Sequence, residues 1–191
     1  MKIIVKLVLI FLLASMVYAS NNKYFIGVST GMAYMNVTKT DQTGSLVLTN
    51  QPSTKGIGIN IETGYEFNKS IFMTGEIEYQ KYDDVKLYNY LISLNKRLTS
   101  IPIYLGIVTG MSTIELTKSH INLPITDKIG KSFAIGCQIG YEKPINNKFS
   151  IFTQYRFLKA SHKTILKTQS AQSELVRDDY STLNIGFRWR Y

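Results

Sequence analysis

The sequence predicts an all-β protein: an eight-stranded antiparallel up-and-down transmembrane β-barrel behind an N-terminal signal peptide. Three observations carry this. Alternation of apolar and polar residues with period two recurs in eight stretches, as it does in strands whose side chains point to opposite faces in turn. The connections alternate between short turns and long polar segments. The composition pairs 13 Tyr and 9 Phe with 13 Gly and only 4 Pro in 191 residues, with 45% hydrophobic residues, which favours strands over a helical bundle.

Residues 1–19 read as a cleaved address. Lys2 and Lys6 form a basic start, Leu7 to Ala14 is unbroken apolar sequence, and Val17-Tyr18-Ala19 is a small-residue cleavage pattern that places the cut between Ala19 and Ser20. Ile3 to Tyr18 spans 16 residues and includes Lys6, short of the roughly 20 that a membrane-crossing helix needs. No cysteine stands at the cleavage site, against a lipoprotein. Cleavage removes two lysines and lowers the formal charge of +9 accordingly. A basic chain suits nucleic acid, but an exported one does not meet it, so no nucleic-acid partner is expected. The lone Cys137 excludes an intramolecular disulfide framework and a multi-cysteine metal site, and no metal or other cofactor is implied.

Residues 20–191 form the barrel domain. The first strand sets Tyr24, Ile26, Val28, Thr30, Met32 and Tyr34 against Gly27, Ser29, Gly31 and Ala33. The second sets Ile57, Ile59, Ile61, Thr63, Tyr65 and Phe67 against Gly58, Asn60, Glu62, Gly64 and Glu66. The third, about 71–82, opposes Ile71, Met73, Ile77 and Tyr79 to Thr74, Glu76, Glu78 and Gln80. The fourth, about 87–96, has Tyr88, Tyr90, Ile92 and Leu94 on its apolar face. The fifth, about 100–115, opposes Ile101, Ile103, Leu105 and Ile107 to Tyr104, Gly106 and Gly110. The sixth, about 130–143, has Phe133, Ile135, Cys137, Ile139 and Tyr141 facing away from Ala134, Gly136, Gln138 and Gly140. The seventh, about 148–159, alternates Phe149, Ile151, Tyr155 and Phe157 with Ser150, Gln154 and Arg156, and the eighth runs from about 179 to the end. Short turns fall at 68–70, 95–99 and 144–148; the segments 37–54, 116–129 and 160–178 are expected as long polar loops on the other side. The link at 83–86 is short where a long one is due.

Which face is wet decides between two barrels. A secreted ligand-binding barrel hides its apolar faces inside, whereas a membrane barrel turns them to lipid and keeps a polar lumen. Here the polar faces collect glycines together with Glu62, Glu66, Glu76, Glu78, Arg156, Arg188 and Arg190, which suits a narrow, tightly curved lumen. The apolar faces carry one charge, Lys81, near a strand end where its stem can reach the interface. Aromatic residues gather at both strand ends, as amphipathic rings do at headgroup level.

The chain ends Asn184-Ile185-Gly186-Phe187-Arg188-Trp189-Arg190-Tyr191. Asn184, Gly186, Trp189 and Tyr191 resemble the C-terminal assembly signal of bacterial outer-membrane proteins, with a terminal Tyr in place of the more usual Phe. With the signal peptide and eight strands, residues 20–191 resemble the small outer-membrane β-barrel family that includes the membrane domain of OmpA and the OmpX-like and opacity-type proteins. The resemblance implies location in the outer membrane of a Gram-negative cell. It also implies delivery by periplasmic chaperones and insertion by the barrel-assembly machinery.

Chemistry is sparse. Strands two and three place Glu62 opposite Glu76 inside the barrel, where like charges repel in a low-dielectric lumen. Arg156 and Arg188, inward by parity, are the cations to pair with Glu62, Glu76 and Glu78. Such a network either plugs the lumen or gates a narrow ion path. A lipid A-modifying enzyme would need a nucleophile beside a base. His120 and His162 each follow a serine, Ser119 and Ser161, but neighbours on a strand point oppositely, and both histidines are expected in or beside exposed loops. No catalytic residue is assigned. Cys137 reads as a small hydrophobe on the lipid face, and the triplet Asn36-Val37-Thr38 carries no glycosylation meaning in a bacterium. The loop cations Lys39, Lys55, Lys118, Lys128, Lys163, Lys167 and Arg177 are placed to meet lipopolysaccharide phosphates or to remain ordinary solvated charge. The expectation is a monomeric structural and surface-interaction barrel, in contact with the bilayer and lipopolysaccharide, whose loops serve envelope integrity or adhesion to an unnamed host or surface ligand.

Overall fold

The structure, a computed structural model, describes residues 23–43, 46–50, 53–83, 85–116, 129–167 and 171–191. The proposed signal peptide, with Ala19 and Ser20, lies outside the described residues, as do Lys118, Ser119, His120 and Lys128. The strands are β1 (Tyr24–Thr43), β2 (Leu46–Asn50), β3 (Ser53–Glu66), β4 (Ile71–Lys81), β5 (Val85–Arg97), β6 (Ile103–Leu116), β7 (Ile129–Pro144), β8 (Phe149–Lys167) and β9 (Ala171–Arg190). All pair antiparallel with their neighbours, and β1 closes on β9 from Phe25↔Arg190 to Thr43↔Ala171. Eight strands are the staves of a closed barrel, which leaves it no open edge. Among the described residues no helix is long and apolar enough to cross a membrane.

Side-chain alternation divides the barrel as the period-two pattern predicts. Outward stand Val28, Met32, Ile57, Ile59, Ile61, Ile92, Leu105, Ile107, Phe133, Ile135, Ile185 and Phe187, all exposed; Ile57 and Ile107 are each 68% exposed. Cys137 is outward and exposed too. Inward stand Asn60, Glu62, Glu76, Glu78, Gln138, Gln154, Arg156, Asn184 and Arg188, all buried. An exposed apolar belt of this extent around a buried polar interior cannot face water without aggregating; its solvent is lipid.

Two rings of aromatic side chains bound the belt. At the end with the short turns, Tyr24 packs on Tyr65 and Tyr191, Phe149 stacks on Trp189, and Tyr65 meets Phe67 edge-on. Towards the other end Tyr79 tilts against Tyr88, with ring centroids 5.2 Å apart. The short turns are tied by local bonds. The Asn68 side chain accepts the backbone N–H of Ser70 and Ile71, and Asn146 does the same for Lys148 and Phe149. These are Asx turns, which asparagine favours because its carboxamide replaces a backbone acceptor.

The long segments depart from the expectation of loops. Of 37–54, the first part continues β1 to Thr43 and the second folds back as β2, with Lys39↔Asn50 through Thr43↔Leu46. Likewise β8 runs on to Lys167 and β9 starts at Ala171, paired Lys167↔Gln172. The extended half of β1 pairs with β2 on one side and β9 on the other, so β2, β1, β9 and β8 form one sheet projecting beyond the belt. Period two is missing there because neither face need be apolar once the strands leave lipid. The ladder of backbone hydrogen bonds holds the strands without it. β4 and β5, by contrast, meet in a tight hairpin, with Tyr82 N donating to Val85 O at 2.9 Å. Among the described residues the rim is therefore tall at β1, β2, β8 and β9 and low at the β4–β5 hairpin.

Candidate functional site: the barrel lumen and its outer rim

Glycine makes the lumen possible at two points. Phe25 on β1 faces Gly64 on β3, and Tyr104 on β6 faces Gly140 on β7. A Cβ at Gly64 would run into the Phe25 ring, and one at Gly140 into the Tyr104 ring. Each inward aromatic thus lies across a neighbouring strand's bare backbone, which lets large rings fit a narrow barrel.

At the turn end, Arg97 Nη2 lies 2.7 Å from Glu66 Oε1 and 3.2 Å from Glu142 Oε2. Arg190 donates to Glu66 Oε1 at 3.1 Å, to Glu142 Oε1 at 2.5 Å and to Ser150 Oγ at 3.1 Å. One level deeper Arg188 binds Glu62 through Nε and, at 3.2 Å, through Nη2, and it donates from Nη1 to Glu142 Oε2 at 2.9 Å. Four rings enclose its guanidinium: Phe152 at 4.2 Å, Phe25 and Tyr104 at 5.2 Å, and Phe72 at 5.3 Å. Each is within cation–π range, where desolvation strengthens the attraction.

Mid-lumen, Arg156 binds Glu76 through Nη2, donates to Gln138 Oε1 at 3.0 Å, and lies 3.6 Å from Glu78 Oε2. Glu76 also accepts from Asn60 at 2.9 Å and Thr74 at 2.7 Å, and Glu78 from Asn89 at 2.9 Å. Glu62 and Glu76 are direct partners across β3 and β4, as parity requires. Their repulsion is relieved because each takes its own arginine. Arg188 on β9 reaches Glu62, and Arg156 on the adjacent β8, further from the turns, reaches Glu76.

Above this layer the lumen is mainly apolar, with Gln80, Ser112 and Thr182 buried among the hydrophobic side chains. Ala33, Met35, Tyr82, Val85, Leu87, Leu91, Val108, Ile114, Ala134, Leu158, Ala160 and Tyr180 form one buried cluster. His162 sits on top, buried at 1% exposure; it shares a hydrogen bond of 3.0 Å with Ser112 Oγ, and its ring meets Tyr180 edge-on. This corrects the expectation of an exposed loop histidine. β8 extends as a strand past it, and the unbroken alternation that turns Arg156, Leu158 and Ala160 inward carries on to His162. Ser161 is exposed, so the adjacent Ser-His pair does point apart, as the strand geometry predicts. Arg177, expected in a loop, is likewise buried within β9.

The five lumen residues named from sequence, Glu62, Glu76, Glu78, Arg156 and Arg188, all lie inside and fall into two clusters. Glu142 and Arg97, which complete the turn-end cluster, were not singled out. Parity with Gly140 and with Asn95 would have placed both inward. Of the assembly-signal residues, Asn184 is buried beside Glu78, with its amide 3.5 Å from Oε1, whereas Trp189 is outward in the turn-end girdle. Among the described residues no three His, Cys, Asp or Glu side chains are grouped to hold a metal ion.

A closed eight-stranded barrel with an apolar outer belt, aromatic girdles and a charge-paired interior is a transmembrane barrel of the outer-membrane type. No family model and no curated protein matches the sequence. Solved structures match the fold. Neisserial surface protein A is similar with a TM-score of 0.58 at 16% identity, covering 88% of this chain and 97% of that one. The outer-membrane protein OprG from Pseudomonas aeruginosa aligns with a TM-score of 0.52 at 10% identity, over 88% of this chain and 96% of its own. The outer-membrane protein AlkL, solved in lipid bilayers, aligns with a TM-score of 0.51 at 14% identity, over 91% and 92%.

Proposed function

We propose that the protein is a structural and surface-interaction barrel of the bacterial outer membrane, without enzymatic activity. Its projecting hairpins contribute to envelope integrity and to contact with lipopolysaccharide or an external surface. The observation that carries this reading is the filled lumen. Paired charges occupy its lower half and a contiguous apolar cluster, with a few buried polar side chains, its upper half, so the parts left to vary and to meet a partner are on the outside. Chaperone-assisted delivery and insertion by the assembly machinery belong to the same reading, supported by the outward Trp189 in the turn-end girdle. A strain lacking the protein is expected to admit large hydrophobic antibiotics more readily and to adhere less to surfaces. Unchanged permeability together with unchanged adhesion would remove the proposal.

A gated ion path is the second reading, favoured by the Arg156–Glu76 pair at the centre of the lumen. The side chains of the upper cluster, among them Leu87, Leu91, Val108, Ile114 and Leu158, fill the lumen above that pair, and stripping an ion of water to pass them carries a desolvation cost of several kcal/mol. In planar bilayers neither the native protein nor Glu76→Gln is therefore expected to give discrete conductance steps. Steps in the native protein that Glu76→Gln alters would put the gate in place of the plug.

A further inference from the structure

The low side of the rim gathers three lysines on its outward face. Lys81, expected as the one charge on the apolar faces, is joined there by Lys86, its direct partner across β4 and β5, because the outward faces continue past the belt to the rim. Side chains so paired have Cβ atoms about 5 Å apart, and like charges there destabilise the sheet. Lys55 projects from β3 beside them, and the three lysines line one concavity of about 750 Å³. Among the described residues none of the three takes part in an ion pair. Of the nearby acids, Asp83 lies at the edge of the concavity and Glu115 stands opposite Lys86 on β6, while Asp84 lies outside the described residues.

The wall below the charges is apolar. Met32, Tyr34 and Ile57 line the same concavity and are 59%, 36% and 68% exposed. The Tyr79–Tyr88 ring pair sits one step further towards the belt. The lysines therefore lie at headgroup level, over a surface fit for acyl chains. The tight β4–β5 hairpin closes here without a projecting arm, so the concavity is open on its β4–β5 side and is flanked on the other by β1 and β2, which rise past the belt.

From this juxtaposition we propose that Lys55, Lys81 and Lys86 form a binding site for a phosphate of lipid A in the outer leaflet, with the lipid's acyl chains against Met32 and Ile57. The proposal rests on the reading of the protein as an outer-membrane barrel in contact with lipopolysaccharide, and it sharpens that contact to one site. An ammonium group near an anionic lipid surface contributes about 1 kcal/mol, or roughly five-fold in binding. Removing two of the three should therefore weaken retention roughly 25-fold.

The test uses the full-length mature chain in phosphatidylcholine nanodiscs doped with diphosphorylated lipid A or with its dephosphorylated form. Lipid retained per barrel is counted by native mass spectrometry, and folding is verified by heat-modifiable migration. The paired variant Lys81→Gln/Lys86→Gln is compared with Lys159→Gln, an outward rim lysine that faces Asp179 across β8 and β9. The expected result is selective retention of diphosphorylated lipid A by the native protein, lost in the paired variant and kept in Lys159→Gln. Equal loss in both variants would overturn the site while leaving a diffuse attraction to lipopolysaccharide intact. A native protein that retains both lipids alike would overturn the site and the lipopolysaccharide contact together.

Discussion

Arg188→Met is expected to destabilise the folded barrel by about 3–5 kcal/mol, measured as reversible urea unfolding in lipid vesicles by tryptophan fluorescence. The magnitude follows from what the substitution strands. Glu62 is 1% exposed, and Arg188 is the guanidinium that binds it; Glu142 loses one of its three arginines. Removing one member of a buried pair leaves an uncompensated charge, which costs more than the pair contributes as a whole. Methionine fills much of the space between Phe25, Phe72, Tyr104 and Phe152, so a cavity contributes little. The charge explanation has its own control. Adding Glu62→Gln to Arg188→Met should recover a substantial part of the loss, because the stranded carboxylate is gone. A double variant no more stable than the single one would trace the loss to the aromatic cage instead.

The second large effect lies on the opposite face. Ile107→Arg is expected to cost about 2–4 kcal/mol in the same unfolding measurement, because the residue stands near the middle of the belt. Ile107 is 68% exposed and pairs with Leu94 on β5 and Cys137 on β7, both themselves outward. On a water-soluble barrel, an arginine at so exposed a site would change stability by less than about 0.5 kcal/mol. The comparison is therefore a direct reading of which solvent the face meets. Thr113→Arg, on the same strand and face but near the rim, should cost no more than about 1 kcal/mol. Equal and small costs at both positions would mean that the belt faces water.

The eight staves and the wet face of each were legible in the sequence because strand alternation is local. Ile57-Gly58-Ile59-Asn60-Ile61-Glu62 states its two faces without reference to any other strand. Local rules also placed Glu62 against Glu76, since the short turn after Phe67 fixes the register of two consecutive strands. The projecting arms were not legible. Residues 37–43 and 171–176 have no apolar face, and their strand character comes from pairing with each other across the closure of the barrel.

The sequence by itself determined that this chain is a barrel, which residues line it and which meet lipid, because a period of two is written into each strand separately. Tertiary structure alone decided that Arg188 takes Glu62 while Arg156 takes Glu76, pairs 126 and 80 residues apart. It also decided that Tyr104 lies over Gly140, that His162 meets Ser112 across the lumen, and that Lys55, Lys81 and Lys86 share one concavity. Those contacts depend on how far each strand is staggered when the sheet closes on itself. That stagger is set by all the strands together and appears in no single one.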